Sequence, residues 1–525
     1  MSRFLSLHPL VIPVLAFMAG IGLAEGMDAL FLPIQWPLVL LAAGLFCALF
    51  SRLRWHGAAW VCLLLLMMLL GCCRMELKKQ EINRLPVGSR HECSAVVFSV
   101  PRVSERTVTA ELLLTDGSHA HQLVHAVFVG DTMARSLTEG NGLCLSAVMQ
   151  PAFLPSAADG TAPSSVYPYV LRSKDIHLVT FLYPGQWQRA AVDFDSFQPA
   201  ERLRYHLLCL RRHLLRELRQ SGLHADAYDL GAAMMLGVRQ QVSAPVRRQY
   251  ADAGVSHLLA LSGMHLSVIY LLVTLLFGRY RRSMVAEVLV VAVMWFYAML
   301  TGLGPSVLRA VMLVSVSAVI RLAGRRPVTL NSLSFVALIQ LLWQPLSLFD
   351  VSFQLSYLAV ASILIAYPPL YGMLSDRFVC LRQLNMDAPS SPLHHRLLRL
   401  LVGMVLLSTV AQIGVAPLSI HYFASFPLFF VVSNLVMVPL AIVMLYALFL
   451  ILLFSVCPMA AILQTVPVWV FLQLQAFQSA FLTWFAPLGG IGRLHLSVAQ
   501  TWLCYLLLAL TAALFCRLFP KKHTF

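Results

Sequence analysis

Apolar runs of bilayer length recur from one end of this chain to the other, and they restrict its fold more than any motif does. Hydrocarbon offers no water to unpaired backbone N–H and C=O groups, so a crossing segment must be a helix or part of a closed barrel. A helical span takes roughly 17–25 mostly apolar residues, and about twelve runs approach that length. They cover residues 9–23, 34–50, 58–72, 254–277, 284–300, 305–322, 330–343, 349–367, 397–420, 426–454, 468–485 and 497–515. Of 525 residues, 59% are hydrophobic and 12% charged, so the chain is expected to be a polytopic, all-α integral membrane protein with several broken spans. The first run is retained as a helix, because no small-residue cleavage site follows it and two further runs come directly after.

Between residues 75 and 252 the texture changes from unbroken apolar runs to short alternating segments. Segments 93–100, 107–114, 123–129, 142–149 and 176–181 read as five strands, separated by turn signals such as Thr115-Asp-Gly-Ser and Gly140-Asn-Gly. Five such strands suit a small OB-like β-barrel, a fold often used to hold oligonucleotides, although a ligand-free β-domain fits the same pattern. The expected division is therefore residues 1–74 as three N-terminal helices, 75–198 as the β-domain, 199–252 as basic amphipathic and interfacial helices, and 253–525 as a second transmembrane domain.

In the stretch 201–219, leucines recur at helical spacing with Arg202, Arg204, Arg211, Arg212, Arg216 and Arg219 between them. A basic amphipathic helix of this kind is expected to lie at the membrane interface and attract anionic headgroups, and it also suits contact with a nucleic-acid backbone.

Orientation follows from basic residues in the short loops. Arg52 and Arg54, then Arg279, Arg281 and Arg282, then Arg321, Arg325 and Arg326, then Arg377, Arg382, Arg396 and Arg399, and finally Arg517, Lys521 and Lys522 are expected on the cytoplasmic side. The loops at 25–28, 301–304, 344–350 and 421–425 are nearly free of Lys and Arg. This alternation places both termini in the cytoplasm and the β-domain outside. The basic stretch Arg74, Lys78, Lys79 and Arg84 is the exception, lying on the expected outer face.

An external domain would sit in an oxidising compartment, which makes Cys93 and Cys144 a candidate disulfide. No metal site is expected, since His119 and His121 have neither an acidic partner nor downstream ligands.

Function should reside in the polar residues within the spans, because each costs several kcal/mol in hydrocarbon unless it is partnered or hydrated. The richest stretch is Gly254-Val-Ser-His-Leu-Leu-Ala-Leu-Ser-Gly-Met-His265, with His257, Ser262, Gly263 and His265. Other spans contribute Thr301, Gly302 and Arg309, then Asp350, Gln354 and Ser356, then Gln412, and then Asn434 and Pro439. A lone Ser, Asn or Gln in a span is often interhelical glue. Asp350 is open to two readings, a helix N-cap or a partner for Arg309.

Taken in order, the stretch 254–265, the Thr-Gly turn leading to Leu308-Arg309-Ala310, and Phe353-Gln-Leu-Ser-Tyr-Leu-Ala359 resemble the signature of the ComEC family, the inner-membrane channel of natural competence. The three N-terminal spans with an OB-like domain, and Tyr167-Pro-Tyr-Val-Leu171 followed by Lys174-Asp-Ile, resemble the rest of that family's N-terminal part. Departures include Val238-Arg-Gln-Gln after Gly237 where an acidic residue is usual, Leu266-Ser267 after His265, and Tyr357 in place of Phe. The resemblance implies import of one strand of transforming DNA. Partners would then be single-stranded DNA, membrane lipids, a DNA receptor outside, a separate nuclease and a cytoplasmic ATPase or DNA-binding motor. The sequence stops at Phe525 soon after its last span and contains no His-X-His-X-Asp-His run, as expected of a short form without a metallo-β-lactamase-like domain. No Gly-X-X-X-X-Gly-Lys-Ser/Thr phosphate loop is present, so neither a cofactor nor an enzymatic activity is expected.

Two other classes remain open. A secondary transporter or exporter of a small solute would use the same broken helices around a midplane site, with an ion-coupling carboxylate that Asp350 supplies poorly. A membrane enzyme would use His257 or His265 as base beside Ser262, but no neighbouring carboxylate orients the imidazole.

Overall fold

The computed structural model describes residues 8–26, 44, 56–83, 88, 90–116, 120–152, 171, 174–192, 195, 197–278, 283–325, 329–377, 393–455, 461–485, 491–492 and 494–518. The expected span at 34–50 lies outside these residues apart from position 44, as do Arg52, Arg54, Arg84, His119, residues 167–170, Arg279, Arg281, Arg282, Arg326, Arg382, Lys521 and Lys522.

The chain divides into two compact units, each discontinuous in sequence: Met1–Leu214 with Phe277–Phe353, and Leu215–Leu276 with Gln354–Phe525. The chain is mostly helical. Among the described residues, five helices are long and apolar enough to cross a membrane: Ala59–Ile82, Pro305–Leu322, Val351–Ser375, Arg396–Phe423 and Phe430–Ser455. Shorter apolar helices occupy Val11–Gly26, Gly263–Leu276, Met284–Leu300, Leu330–Trp343 and Val498–Ala512. The run expected at 468–485 belongs to a helix over Ala461–Phe485 with Pro467 inside it.

In the first unit, the helices Val11–Gly26 and His56–Asn83 pack backbone to backbone. A Cβ on Gly20 would overlap the carbonyl of Met68, and one on Gly71 would overlap that of Phe17. The Cys72 thiol donates to the Gly20 carbonyl at 3.1 Å across the same contact. Small residues do this work in membranes because dispersion, with no hydrophobic drive between lipid-facing helices, rewards close approach.

The basic stretch that broke the charge alternation is used internally. Arg74 donates to the carbonyls of Leu342 and Trp343 at 2.7 and 2.8 Å, the last turn of the helix Leu330–Trp343. Lys79 donates to Ala24 at 2.6 Å, near the end of Val11–Gly26. Each cation thus satisfies orphan carbonyls at the negative end of a helix dipole. Lys78 is buried and pairs with Asp175 at 2.7 Å.

The β-domain is a small mixed sheet of eight strands among the described residues: β1 (Arg90–Val97), β2 (Arg102–Val103), β3 (Thr107–Leu114), β4 (Leu123–Val129), β5 (Gly142–Val148), β6 (Gln150–Pro151), β7 (Leu178–Leu182) and β8 (Trp187–Ala190). The five longest correspond to the expected strands, displaced by up to three residues at their ends; the short ones were missed. The order is β6-β7-β4-β3-β1-β5-β8, with β2 on β3 and a parallel β4–β7 pair. Alternate residues fill a closed apolar core that includes Phe128, Leu112, Leu143 and Trp187.

The basic helix forms over Pro199–Gln220. Its apolar stripe was expected against lipid, but Leu208 and Tyr205 pack with Val96, Phe98, Leu113 and Phe197 of the β-domain. That part of the stripe is covered by protein and unavailable to hydrocarbon. The expected Cys93–Cys144 disulfide is likewise corrected. Cys93 pairs with Leu145 and Cys144 with Ser94, so the two cysteines sit one residue out of register on adjacent strands. Their side chains fall on opposite faces, Cys93 buried and Cys144 exposed, and both are free thiols.

Candidate functional site

In the second unit, the stretch 254–265 is no continuous span. Gly254 turns the chain with φ +77°, and a Cβ there would come within 2.7 Å of the Pro427 ring, so only glycine fits this close approach. A short 3-10 turn over Ser256–Leu258 follows, and a new helix starts at Gly263. His257 is exposed.

At that helix start, the His265 side chain turns back onto Ser262. The Ser262 amide lies 3.3 Å from His265 Nδ1 and donates to it, while Ser262 Oγ lies 2.9 Å from the same atom. This is one half of a capping box, with imidazole in the place usually taken by Glu or Gln, at the third helical position. An amide can donate only to a nitrogen lone pair, so Nδ1 is the acceptor and the ring carries its proton on Nε2. Nε2 is buried and hydrogen-bonds no described residue, and His265 is 0% exposed. A buried N–H without a partner costs about 1–3 kcal/mol; it leaves a donor held in a fixed direction.

Gln354 accepts from the Tyr422 hydroxyl at 3.1 Å, tying Val351–Arg377 to Leu393–Phe423. Asn434 donates to Ser408 at 3.1 Å, while its Oδ1 is buried and makes no hydrogen bond among the described residues. Both therefore act as interhelical glue, Asn434 with one acceptor left over. Ser356 and Gln412 are half-buried. Pro439 lies inside the helix Phe430–Ser455 and is exposed; lacking an N–H, it leaves the carbonyl four residues earlier without its helical donor. Gln478, which the sequence reading missed, is 1% exposed and neither of its amide atoms makes a hydrogen bond among the described residues.

In the first unit, Thr301 ends the helix Met284–Leu300, its hydroxyl donating back to Tyr297 and Ala298 at 3.0 and 3.1 Å. Gly302 (φ +90°) and Leu303 (φ +53°) then reverse the chain into Pro305–Leu322. Arg309 and Asp350 are both buried, at 5% and 3% exposure. Asp350 Oδ1 accepts from the Ser352 amide at 2.7 Å, the geometry of an N-cap on the helix that starts at Val351. A half-buried ion pair missed in the sequence joins Glu287 to Arg321 through two hydrogen bonds, at 2.8 and 2.7 Å. Its signal was present: an acidic residue in the first turn of one apolar helix and a basic one in the last turn of the next antiparallel one.

The six arginines of the basic helix are not equivalent. Arg202, Arg204, Arg216 and Arg219 are exposed; Arg204 lies over the Phe98 ring at 5.0 Å and Arg219 over the Tyr228 ring at 4.6 Å. Arg212 is half-buried beside Gly140. Arg211 is buried and pairs with Glu139 at 3.6 Å. Burial pushes the Glu139 carboxyl up against the pull of Arg211 and Arg212. His121 is bonded to Glu201 at 3.0 Å, and no group of three or more metal-ligating side chains occurs among the described residues.

Residues 234–520, more than half of the chain, match the family described as Competence protein. The chain is 28% identical over 264 residues to ComE operon protein 3 of Bacillus subtilis (strain 168), which is 48% of this chain and 30% of that protein. It is 26% identical over 164 residues to an uncharacterized protein of Aquifex aeolicus (strain VF5), 31% of this chain and 39% of that one. The matched segments thus span well under two thirds of either relative. No solved structure matches.

Proposed function

Because the chain belongs to the competence protein family, we propose that it conducts one strand of transforming DNA across the cytoplasmic membrane during DNA uptake. The observation that carries this reading is His265, a buried imidazole at the broken start of an apolar helix in the family region, with Nε2–H as an unspent donor. A polyanion crosses hydrocarbon only along a polar, hydrated route, and interrupted helices supply such a route with free backbone and side-chain donors.

The remaining candidates take roles consistent with that route. Gly263, Gly302 and Pro439 permit the helix breaks. Ser262, Gln354, Ser356, Gln412 and Asn434 offer hydrogen-bonding groups, and Arg309 offers a cation. The exposed arginines at 202, 204, 216 and 219 suit phosphate capture. The β-domain is read as an OB-like barrel: β5 pairs with β1 while the adjacent β6 pairs with β7, an order that supports return of the sheet on itself. The topology is read with about twelve spans, both termini cytoplasmic and the β-domain outside, and use of Arg74 and Lys79 as helix caps supports that placement despite their charge. Strand degradation and energy supply are assigned to partners: a receptor outside, a nuclease, and a cytoplasmic ATPase or DNA-binding motor.

The test is labelled DNA uptake in competent cells lacking the chain and in the same cells complemented with it. Loss of transformants while DNA still reaches the outer compartment supports the channel. Normal transformation without the chain rejects it and favours a transporter of small solutes.

A further inference from the structure

The outward face of the β-domain carries a cleft of about 290 Å³ between β1, β5, β6 and β7 that none of the residues above explains. Its rim includes Phe181 and Tyr183, which are 44% and 52% exposed. Singly exposed aromatics are ordinary, but two together, one on a short strand and one just past its end, beside a cation, form a patch. Alternation along β7 turns Leu178, Thr180 and Leu182 into the core and Phe181 outward, with Tyr183 following on the same side. Residues two apart on a strand are separated by about 6.6 Å, close to twice the ~3.4 Å repeat of stacked bases.

The patch is held rigidly. The Tyr183 amide donates to Gln186 Oε1 at 3.1 Å, and the Gln186 amide donates to the Tyr183 carbonyl at 3.1 Å. Between them Pro184 and Gly185, the latter at φ +85°, make the tight turn. The Gln186 carbonyl in turn accepts from the Ser146 amide at 2.9 Å, and Arg90 Nε donates to Ser146 Oγ at 3.1 Å, which orients the guanidinium at the cleft. Gln150, on the strand paired with β7, supplies an exposed amide to the same cleft.

The geometry points to a seat for unpaired nucleobases of single-stranded DNA: bases stack on Phe181 and Tyr183, Arg90 meets the phosphate, and Gln150 and Gln186 offer hydrogen bonds without reading sequence. This inference rests on the DNA-uptake reading and adds to it where the strand is held before entering the membrane. Aromatic platforms beside basic groups bind single strands in this sequence-tolerant way because every base presents a π face. The occupant is a single strand rather than a duplex, whose bases are already stacked on one another.

The test uses the full-length protein in nanodiscs of zwitterionic lipid, with binding of fluorescent oligothymidine, an abasic oligonucleotide of equal length and a duplex measured by anisotropy. Phe181→Ala with Tyr183→Ala should weaken oligothymidine binding by about ten-fold or more and leave abasic binding unchanged. Phe181→Tyr with Tyr183→Phe keeps both rings and should bind as the parent does, which separates lost stacking from lost folding. Equal binding by parent and double-alanine protein, or equal affinity of the parent for abasic strand and oligothymidine, overturns the seat. Ring-dependent binding combined with normal transformation in cells lacking the chain would instead preserve the seat and reject the uptake reading.

Discussion

Ser262 and His265 lie 2.9 Å apart from Oγ to Nδ1, and this short contact holds the imidazole against the helix start with Nδ1 toward Ser262. The pair caps a helix and aims a donor at once. His265→Gln keeps the capping acceptor and the helix start, since Gln is a normal partner in a capping box, but displaces the second donor. The expected result is near-normal membrane abundance with transformation reduced at least ten-fold. Ser262→Ala removes the hydroxyl while keeping the amide bond, and should cost about 0.5–2 kcal/mol of stability with a smaller loss of transformation. Equal transformation by His265→Gln and the parent would assign His265 to capping alone.

Glu287 and Arg321 form an ion pair between two apolar helices of the first unit. Removing one partner of a buried pair leaves a charge without compensation, so Glu287→Ala should lower stability by about 2–3 kcal/mol. The figure sits below the fully buried case because the Arg321 side chain is 30% exposed. Glu287→Gln, which retains one acceptor, should cost less. Thermal unfolding in detergent reads both, and an unchanged midpoint for Glu287→Ala would show that the pair contributes nothing net.

Asp175 provides a pH test at the base of the β-domain. Burial pushes its carboxyl up, but hydrogen bonds from His177 and Lys78, with their charges, outweigh burial and hold it well below the usual carboxylate range. A group with a depressed folded value stabilises the protein above its unfolded pKa, about 4, and loses that contribution as pH falls through the folded value. The unfolding midpoint should therefore drop more steeply below about pH 4 in the parent than in Asp175→Asn, and the two should differ most near neutrality. Parallel curves would show that the ionised Asp175 adds nothing to stability.

The two cysteines of the β-domain differ in chemistry as well as position. Burial, then the charges of Asp116 and Cys144, push the Cys93 thiol up to about 12, so almost no reactive thiolate exists at neutral pH. Cys144 is exposed. In a variant retaining only these two, a membrane-impermeant maleimide applied to spheroplasts should label Cys144 alone, and omission of reductant should not change mobility on a gel. Labelling only after lysis would place the β-domain in the cytoplasm and reverse the topology.

Much of this architecture was legible because it depends on period and composition. Apolar runs marked the helices, and alternation marked the five main strands of the β-domain. What escaped depended on three-dimensional pairing. Arg74 and Lys79 read as misplaced topogenic charges because nothing in their local sequence names the helix ends they cap, at Leu342 and Ala24. Cys93 and Cys144 looked bridgeable because a one-residue offset in register is invisible without the partner strand. Leu208 of the basic helix packs with Val96 and Phe98, and amphipathicity alone does not distinguish protein from lipid as its cover. Within the candidate site, His265, Thr301 and Asp350 were found because polar groups stand out in apolar runs. Gln478 and Glu287 lie in similar surroundings and passed unnoticed without a flanking motif.

The central claim is that the broken helix around His265 borders the path of the DNA strand, and photo-crosslinking tests it most directly. A photoreactive amino acid would be placed in turn at position 265, at Gln354 and at Leu275, which is 64% exposed on the apolar helix begun at Gly263. Radiolabelled transforming DNA would be stalled in transit by a bulky end-group. Crosslinks to DNA at 265 and 354 but not at 275 are predicted. Protected DNA accumulating inside the cells with no crosslink at either polar position would contradict the account.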